Sequence, residues 1–287
     1  MKVKLLKLNT PDYPEILSQI PSAPKQLYWL GASPVELLAR PKIAIVGSRK
    51  ATPYGRQVTQ DLTTKLVHVG VVIVSGLALG IDSIAHRAAL DAGGLTLAVL
   101  PSSLDNIYPP SHRGLAEAII QNGGALASEY AGHMEGFASN FIARNRIVSG
   151  LADGLLITEA AAASGTMHTA RFALEQGKTV MAVPGNITSQ ISEGCNNLIK
   201  AGATPVTSVD DIFFALKLKP QKPTAKKLFR GSELEQLVFK LIADGVADQE
   251  DIALQSSLGS AELSSTLTML ELSGHIKPVG AGNWVVI

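Results

Sequence analysis

Residues 42–82 read KIAIVGSRKATPYGRQVTQDLTTKLVHVGVVIVSGLALGID, and this stretch decides the fold. KIAIVG (42–47) and VVIVSG (71–76) are short, continuous apolar runs, each closed by glycine. A run without polar alternation reads as a strand buried on both faces. Tyr54–His68 lies between them and reads as a helix. Strand, helix, strand at this spacing predicts a parallel pair joined by a right-handed crossover.

The same alternation continues outward. LTLAVLP (95–101), ALASEY (125–130), GLLITEA (154–160) and TVMAVPG (179–185) read as further strands, with ATPV (203–206) as a weak last one. Helical stretches at Ile81–Ala92, Phe141–Leu151, Thr169–Gln176 and Ser192–Ala201 separate them. About six such units predict an α/β, Rossmann-like, doubly wound and mostly parallel sheet. Upstream, Pro11, Pro14, Pro21, Pro24 and Pro34 break every helical stretch, so residues 1–40 read as an irregular connector.

Downstream the composition shifts. Residues 217–231 hold six bases (Lys217, Lys219, Lys222, Lys226, Lys227, Arg230) and no acid, whereas 232–287 hold two bases and eight acids. A basic linker therefore separates a near-neutral body from an acidic tail. In that tail Glu233–Asp244, Asp248–Gln255 and Ala261–Ser273 read as helices, and Gly274–Ile287 reads as a hairpin turning at Gly280–Gly282. This is the outline of a small winged-helix-like domain. The expected organisation is a connector (1–40), a Rossmann-like domain (41–216), a linker (217–231) and a winged-helix-like domain (232–287).

The apolar fraction of 46% and charged fraction of 17% suit a chain with a sizeable core. No apolar run approaches the roughly 20 residues that span a bilayer, so no membrane association is expected. The start lacks the h-region and small-residue cleavage site of a signal peptide. Cys195 is the single cysteine, which excludes an intramolecular disulfide and a cysteine-rich metal site. The cytoplasm is the expected location. His86 and His168 have no second histidine or cysteine at ligand spacing, so neither a metal nor a cofactor is expected.

Ligands of a parallel α/β sheet bind beyond the carboxyl ends of its strands. Those positions hold Gly47-Ser48-Arg49, then Ser75-Gly76 leading through Leu77-Ala78-Leu79-Gly80 to Asp82, then Ser164-Gly165-Thr166, and last Pro184-Gly185-Asn186. Glycines let the backbone approach a ligand, free amides at helix starts favour an anion, and a guanidinium forks onto phosphate. The competing reading is that the glycines only make tight turns. Neither G-x-G-x-x-G nor a Walker motif is present, which weakens nicotinamide and NTP-hydrolysing roles. On a helix, Phe141 and Arg144 share a face, pairing a stacking surface with a charge. Alternatively Phe141 is core, and Arg144 and Arg146 pair with Glu129 or Glu159. Those two glutamates end strands that look adjacent. Asp82 reads as a cap or loop organiser. No nucleophile–base pair or G-x-S-x-G elbow accompanies these groups.

VGSR (46–49), SGLALGID (75–82), Tyr108–Pro109, FIARNRIVSGLAD (141–153), EAAAASGTMHTARFALEQGKTVMAVPG (159–185) and GCNNLIKAGA (194–203) together resemble the DNA-processing protein A (DprA/Smf) family in order and spacing. The resemblance runs from about residue 9 to 216. It implies a Rossmann-like protein, not an enzyme, that binds single-stranded DNA (ssDNA), forms a homodimer and loads RecA during natural transformation. By motif it implies that Gly47, Ser48 and Arg49 contact phosphate and that Phe141 contacts a base. Arg144 and Arg146 would line the pocket, and Ser75, Gly76, Ser164, Gly165 and Thr166 would shape its floor. Departures from the family pattern are Ile142 in place of proline after the aromatic, no base within Glu135–Asn140, and no SAM-like domain before the connector.

Two other readings compete. A nucleotide phosphoribohydrolase of the lysine-decarboxylase-like (LOG) group would show P-G-G-x-G-T-x-x-E, but residues 162–169 read AASGTMHT, without the glutamate. A transcription factor would use the tail, whose acidity makes it a poor grip on phosphate and points to protein contact instead.

Overall fold

The KIAIVG run forms a strand, β3 (Lys42–Val46), at the centre of a nine-stranded sheet. The computed structural model describes residues 3–134, 137–218, 231–243, 245–280 and 282–286. The other strands of the sheet are β1 (Lys4–Lys7), β2 (Gln26–Gly31), β4 (Val72–Ser75), β5 (Thr96–Leu100), β6 (Ala125–Ser128), β7 (Gly154–Ile157), β8 (Thr179–Ala182) and β9 (Thr204–Pro205). Their order is β1-β2-β6-β5-β4-β3-β7-β8-β9. From β6 to β9 all neighbours run parallel. Each expected strand from 42 to 206 is therefore present.

The helices are α1 (Glu15–Ser18), α2 (Pro34–Leu38), α3 (Pro53–His68), α4 (Ile81–Asp91), α5 (Arg113–Gln121), α6 (Ala138–Gly150), α7 (Thr166–Glu175), α8 (Glu193–Lys200) and α9 (Val209–Ala215). They cover both faces. Alternate residues of one strand feed opposite cores. Ile43 and Ile45 pack with Leu62, Leu66 and Ile84 of α3 and α4. Ala44 and Val46 pack instead with Ile147, Val148 and Ala170 of α6 and α7. This double burial is why β3 carries no polar alternation.

Residues 1–40 differ from the irregular connector expected of them. β2 pairs antiparallel with β6, and β1 pairs antiparallel with β2, extending the sheet. Leu27 and Trp29 alternate inward and are fully buried. The prolines fall in the loops and at the start of α2, so they punctuate the strands without interrupting them.

The chain divides into two compact units, Met1–Pro223 and Thr224–Ile287. Most of the basic stretch, 219–230, lies outside the described residues. The second unit holds α10 (Glu233–Ala243), α11 (Gln249–Ser256), α12 (Ser260–Leu272) and a hairpin of β10 (Ile276–Gly280) and β11 (Asn283–Val286). The apex expected at Gly280–Gly282 includes residue 281, which is outside the described residues. Val238, Ile242, Ile252, Leu263, Leu267, Leu270 and Ile276 form its core. Asp248 caps α11 by accepting hydrogen bonds from the backbone N–H groups of Glu250 and Asp251.

Candidate functional site

The strand order reverses between β3 and β7, because β4, β5 and β6 lie to one side of β3 and β7, β8 and β9 to the other. At such a switch point the loops after two neighbouring strands leave in opposite directions and open a crevice. A cleft of about 810 Å³ lies there. The β3 turn (Gly47, Ser48, Arg49) and the β7 loop (Ser164, Gly165, Thr166) form two of its walls, and α6 contributes Phe141, Arg144 and Asn145.

Small residues make this crossing feasible. The Ser48 N–H donates to the Glu159 carbonyl at 2.7 Å, and the Ile81 N–H donates to the Ser48 carbonyl at 3.1 Å. Gly80 adopts φ +78°, and a side chain there would collide with the Ser48 carbonyl oxygen. At Gly47 a Cβ would lie 2.7 Å from the Glu159 carbonyl oxygen. Thr166 Oγ1 donates to the Gly47 carbonyl at 3.1 Å, and Ser164 Oγ donates to Thr166 Oγ1 at 2.9 Å. The two loops are thereby tied to each other across the switch point.

The charged groups sort into two kinds. Arg49 and Lys50 are exposed on the cleft wall, and neither takes part in an ion pair among the described residues. The Arg49 guanidinium lies over the Phe141 ring, 5.2 Å from its centroid, in a cation–π contact. Tyr108 meets the same ring edge to face at 5.2 Å. Phe141 is half-buried in the cleft, so it is not a core residue.

Arg144 is different in kind. It shares the α6 face with Phe141, as the three-residue spacing requires, but only 4% of it is exposed. Its Nη1 donates to the carbonyls of Gly76, at 2.5 Å, and Val99. Burial lowers its pKa to about 10, and the charge of Asp82 opposes that shift. Asp82 is also buried, and burial raises its pKa, against the pull of Arg144 and of the backbone N–H groups of Ala78 and Gly76. Gly76 fits between the two groups because it lacks a side chain. A Cβ there would lie 2.5 Å from Arg144 Nη2 and 2.7 Å from Asp82 Oδ2. Ser75 and Gly76 therefore sit beneath the cleft, not on its lining, with Ser75 Oγ donating to the Ile45 carbonyl at 2.6 Å.

Arg146 does not join the group and is absent from the cleft lining. Its Nη2 pairs with both oxygens of Glu129 at 2.7 and 2.9 Å, and its Nε donates to the Ser22 carbonyl. Two residues along a helix are about 200° apart in rotation, so Arg144 and Arg146 face different sides. Glu129 and Glu159 do not pair either, because β5, β4 and β3 separate the strands that precede them. The Glu159 carboxylate instead accepts from the Thr52 N–H at 2.8 Å and from Thr52 Oγ1 at 2.5 Å, closing the start of α3. Among the described residues no group of three His, Cys, Asp or Glu is placed to hold a metal ion.

Among the lining residues outside the sequence-predicted set are Lys50, Tyr108, Asn145 and Ile191. Lys50 adjoins Arg49, and Asn145 lies one turn from Phe141, so both were within reach of a periodicity argument. Tyr108 stood in a recognised Tyr-Pro pair. Nothing local to Ile191 marks it.

Residues 4–217 match the family model of DNA recombination-mediator protein A, and residues 219–282 match that of the DprA winged helix domain. The chain is 39% identical to protein Smf of Escherichia coli (strain K12) over 249 residues, covering 84% of this chain and 67% of the relative. It is 42% identical to DNA processing protein DprA of Streptococcus pneumoniae over 200 residues, 70% of each. The X-ray structure of S. pneumoniae DprA superposes with a TM-score of 0.70 at 39% identity, over 74% of each chain. A structure of DNA processing protein A from Helicobacter pylori, described for its single-stranded DNA binding mode, superposes with a TM-score of 0.67 at 35% identity. It covers 75% of this chain and 96% of that one.

Proposed function

Because the chain belongs to the DNA recombination-mediator protein A family, we propose that its switch-point cleft binds ssDNA and that the protein works as a recombination mediator. One observation carries this reading. Arg49, free of any described carboxylate partner, lies over the half-buried ring of Phe141 inside a glycine-walled cleft. A cation beside an aromatic face recognises the two parts common to every unpaired nucleotide, its phosphate and its base. Lys50 adds charge to the same wall. Gly47, Ser48, Ser164, Gly165 and Thr166 offer backbone and hydroxyl contacts. Ser75 and Gly76 hold the floor from below, Arg144 forms part of the lining itself, and Arg146 braces α6 through Glu129.

The family is one of DNA-binding mediators, not enzymes. The nucleotide phosphoribohydrolase reading is not favoured, since residues 162–169 lack the glutamate of its motif. RecA loading during DNA uptake, a homodimer and a cytoplasmic location complete the proposal. No described helix is long and apolar enough to cross a membrane. The C-terminal unit, with its excess of carboxylates, would serve as a protein contact rather than a second grip on DNA.

The test is a fluorescence-anisotropy titration of a labelled oligo-dT at several salt concentrations. Binding should weaken steeply with salt. Arg49→Ala and Phe141→Ala should each cost about 1–3 kcal/mol of affinity. Wild-type affinity in Arg49→Ala would reject the cleft as the binding site, and release of free base from a nucleoside monophosphate would favour the hydrolase.

A further inference from the structure

A second concavity of about 500 Å³ adjoins the first along the carboxyl edge of the sheet. The two share walls. Residues 50–52 carry Lys50 into the first and Thr52 into the second, and the turn at 189–192 carries Ile191 into the first and Ser189 and Ser192 into the second. The mechanism proposed above uses none of the second concavity.

Its chemistry differs from that of the cleft. No lysine or arginine lines it, and its one acid, Glu159, is buried and engaged by Thr52. A phosphate is disfavoured beside that carboxylate, whereas a neutral heterocycle is not. Tyr54 is 46% exposed, and its hydroxyl donates to the Pro184 carbonyl at 2.8 Å, which holds the ring in place. Asn186 Oδ1 accepts from the Thr188 N–H and hydroxyl at 3.0 and 2.9 Å, leaving its Nδ2 without a partner among the described residues. Ser192 is 6% exposed overall, yet its Oγ makes no described hydrogen bond while lining the concavity. A fixed aromatic face with free amide and hydroxyl groups beside it fits a nucleobase.

We propose that this concavity is a second subsite, in which Tyr54 stacks the base of a nucleotide neighbouring the one held at Arg49 and Phe141. The strand would then run from α6 across the 189–192 turn toward the end of β8. Phosphates would be gripped on the Arg49–Lys50 side and a base on the Tyr54 side. This rests on the ssDNA reading of the first cleft.

The experiment is anisotropy titration of the full chain with oligo-dT and with the same oligonucleotide carrying abasic sites throughout, for wild type, Tyr54→Ala, Tyr54→Phe and Arg49→Ala. Tyr54→Ala should bind oligo-dT about tenfold more weakly than wild type. Tyr54→Phe, which keeps the ring but loses its tie to Pro184, should bind oligo-dT more tightly than Tyr54→Ala, and on the abasic strand Tyr54→Ala should match wild type. A loss with Arg49→Ala but none with Tyr54→Ala would overturn the second subsite and leave the cleft assignment standing. An equal loss for Tyr54→Ala on both strands would also overturn it, since the effect would then be one of folding. No binding by the wild type would sink the cleft itself.

Discussion

Replacing Arg144 with alanine should damage the fold before it damages ligand binding. The side chain is 4% exposed, and its Nη1 donates to two buried carbonyls, those of Gly76 and Val99. Hydrogen bonds to a charged group contribute about 1.5–3 kcal/mol each, so two give about 3–6 kcal/mol. The variant also leaves Asp82 buried without the positive charge that opposes its rise in pKa. Against this, removing the guanidinium relieves a desolvation strong enough to lower its pKa to about 10. The net loss should be about 3–4 kcal/mol. In a unit of the size of Met1–Pro223, 1 kcal/mol moves the melting temperature by about 2–4 °C, so a fall of roughly 6–16 °C is expected. Thermal unfolding followed by circular dichroism measures it, with Arg49→Ala as the exposed-cation control, expected to stay within about 0.5 kcal/mol of wild type. If Arg144→Ala melted with the wild type while losing ssDNA affinity, Arg144 would be a ligand contact and the burial argument would be wrong.

Two further outcomes follow from buried titratable groups. His86 is fully buried, and burial, assisted by the charges of His112 and Arg144, pushes its pKa down to about 3. Unfolded His86 takes up a proton below about pH 6.5 that the folded ring refuses. Stability should therefore fall as pH drops from 6.5 toward 3, by up to about 1.4 kcal/mol per unit from this residue. Urea unfolding at pH 7 and pH 5 should show a smaller difference in His86→Gln than in wild type, and equal differences would refute the assignment. Cys195 is 1% exposed, its thiol donates to the Ile157 carbonyl at 3.7 Å, and burial pushes its pKa up to about 12. Iodoacetamide at pH 8 should label it about a thousandfold more slowly than a free thiol until denaturant is added. Rapid alkylation of the native protein would contradict this.

Much of the site was legible because the information is local. The Gly47–Arg49 and Ser164–Thr166 turns end apolar runs, and in a parallel sheet every run ends on the same edge. Phe141 and Arg144 were placed on one face by their spacing alone. That spacing also counted against Arg146, which is two residues from Arg144 and so turned away, a signal that the family resemblance overrode. Whether an arginine on the right face is a ligand contact or a floor brace was not legible. The difference lies in the Gly76 and Val99 carbonyls, 68 and 45 residues away.

By itself the sequence determined the parallel α/β architecture and the acidic winged-helix tail, because strand and helix periodicities and charge are properties of neighbouring residues. Only the tertiary structure decided the strand order. That order sets β3 beside β7 and opens the cleft there, and it separates Glu129 from Glu159 by three strands. It also draws β1 and β2 in as antiparallel edge strands. Strand order depends on which backbone edges find hydrogen-bonding partners far along the chain, and a local pattern carries no record of that pairing.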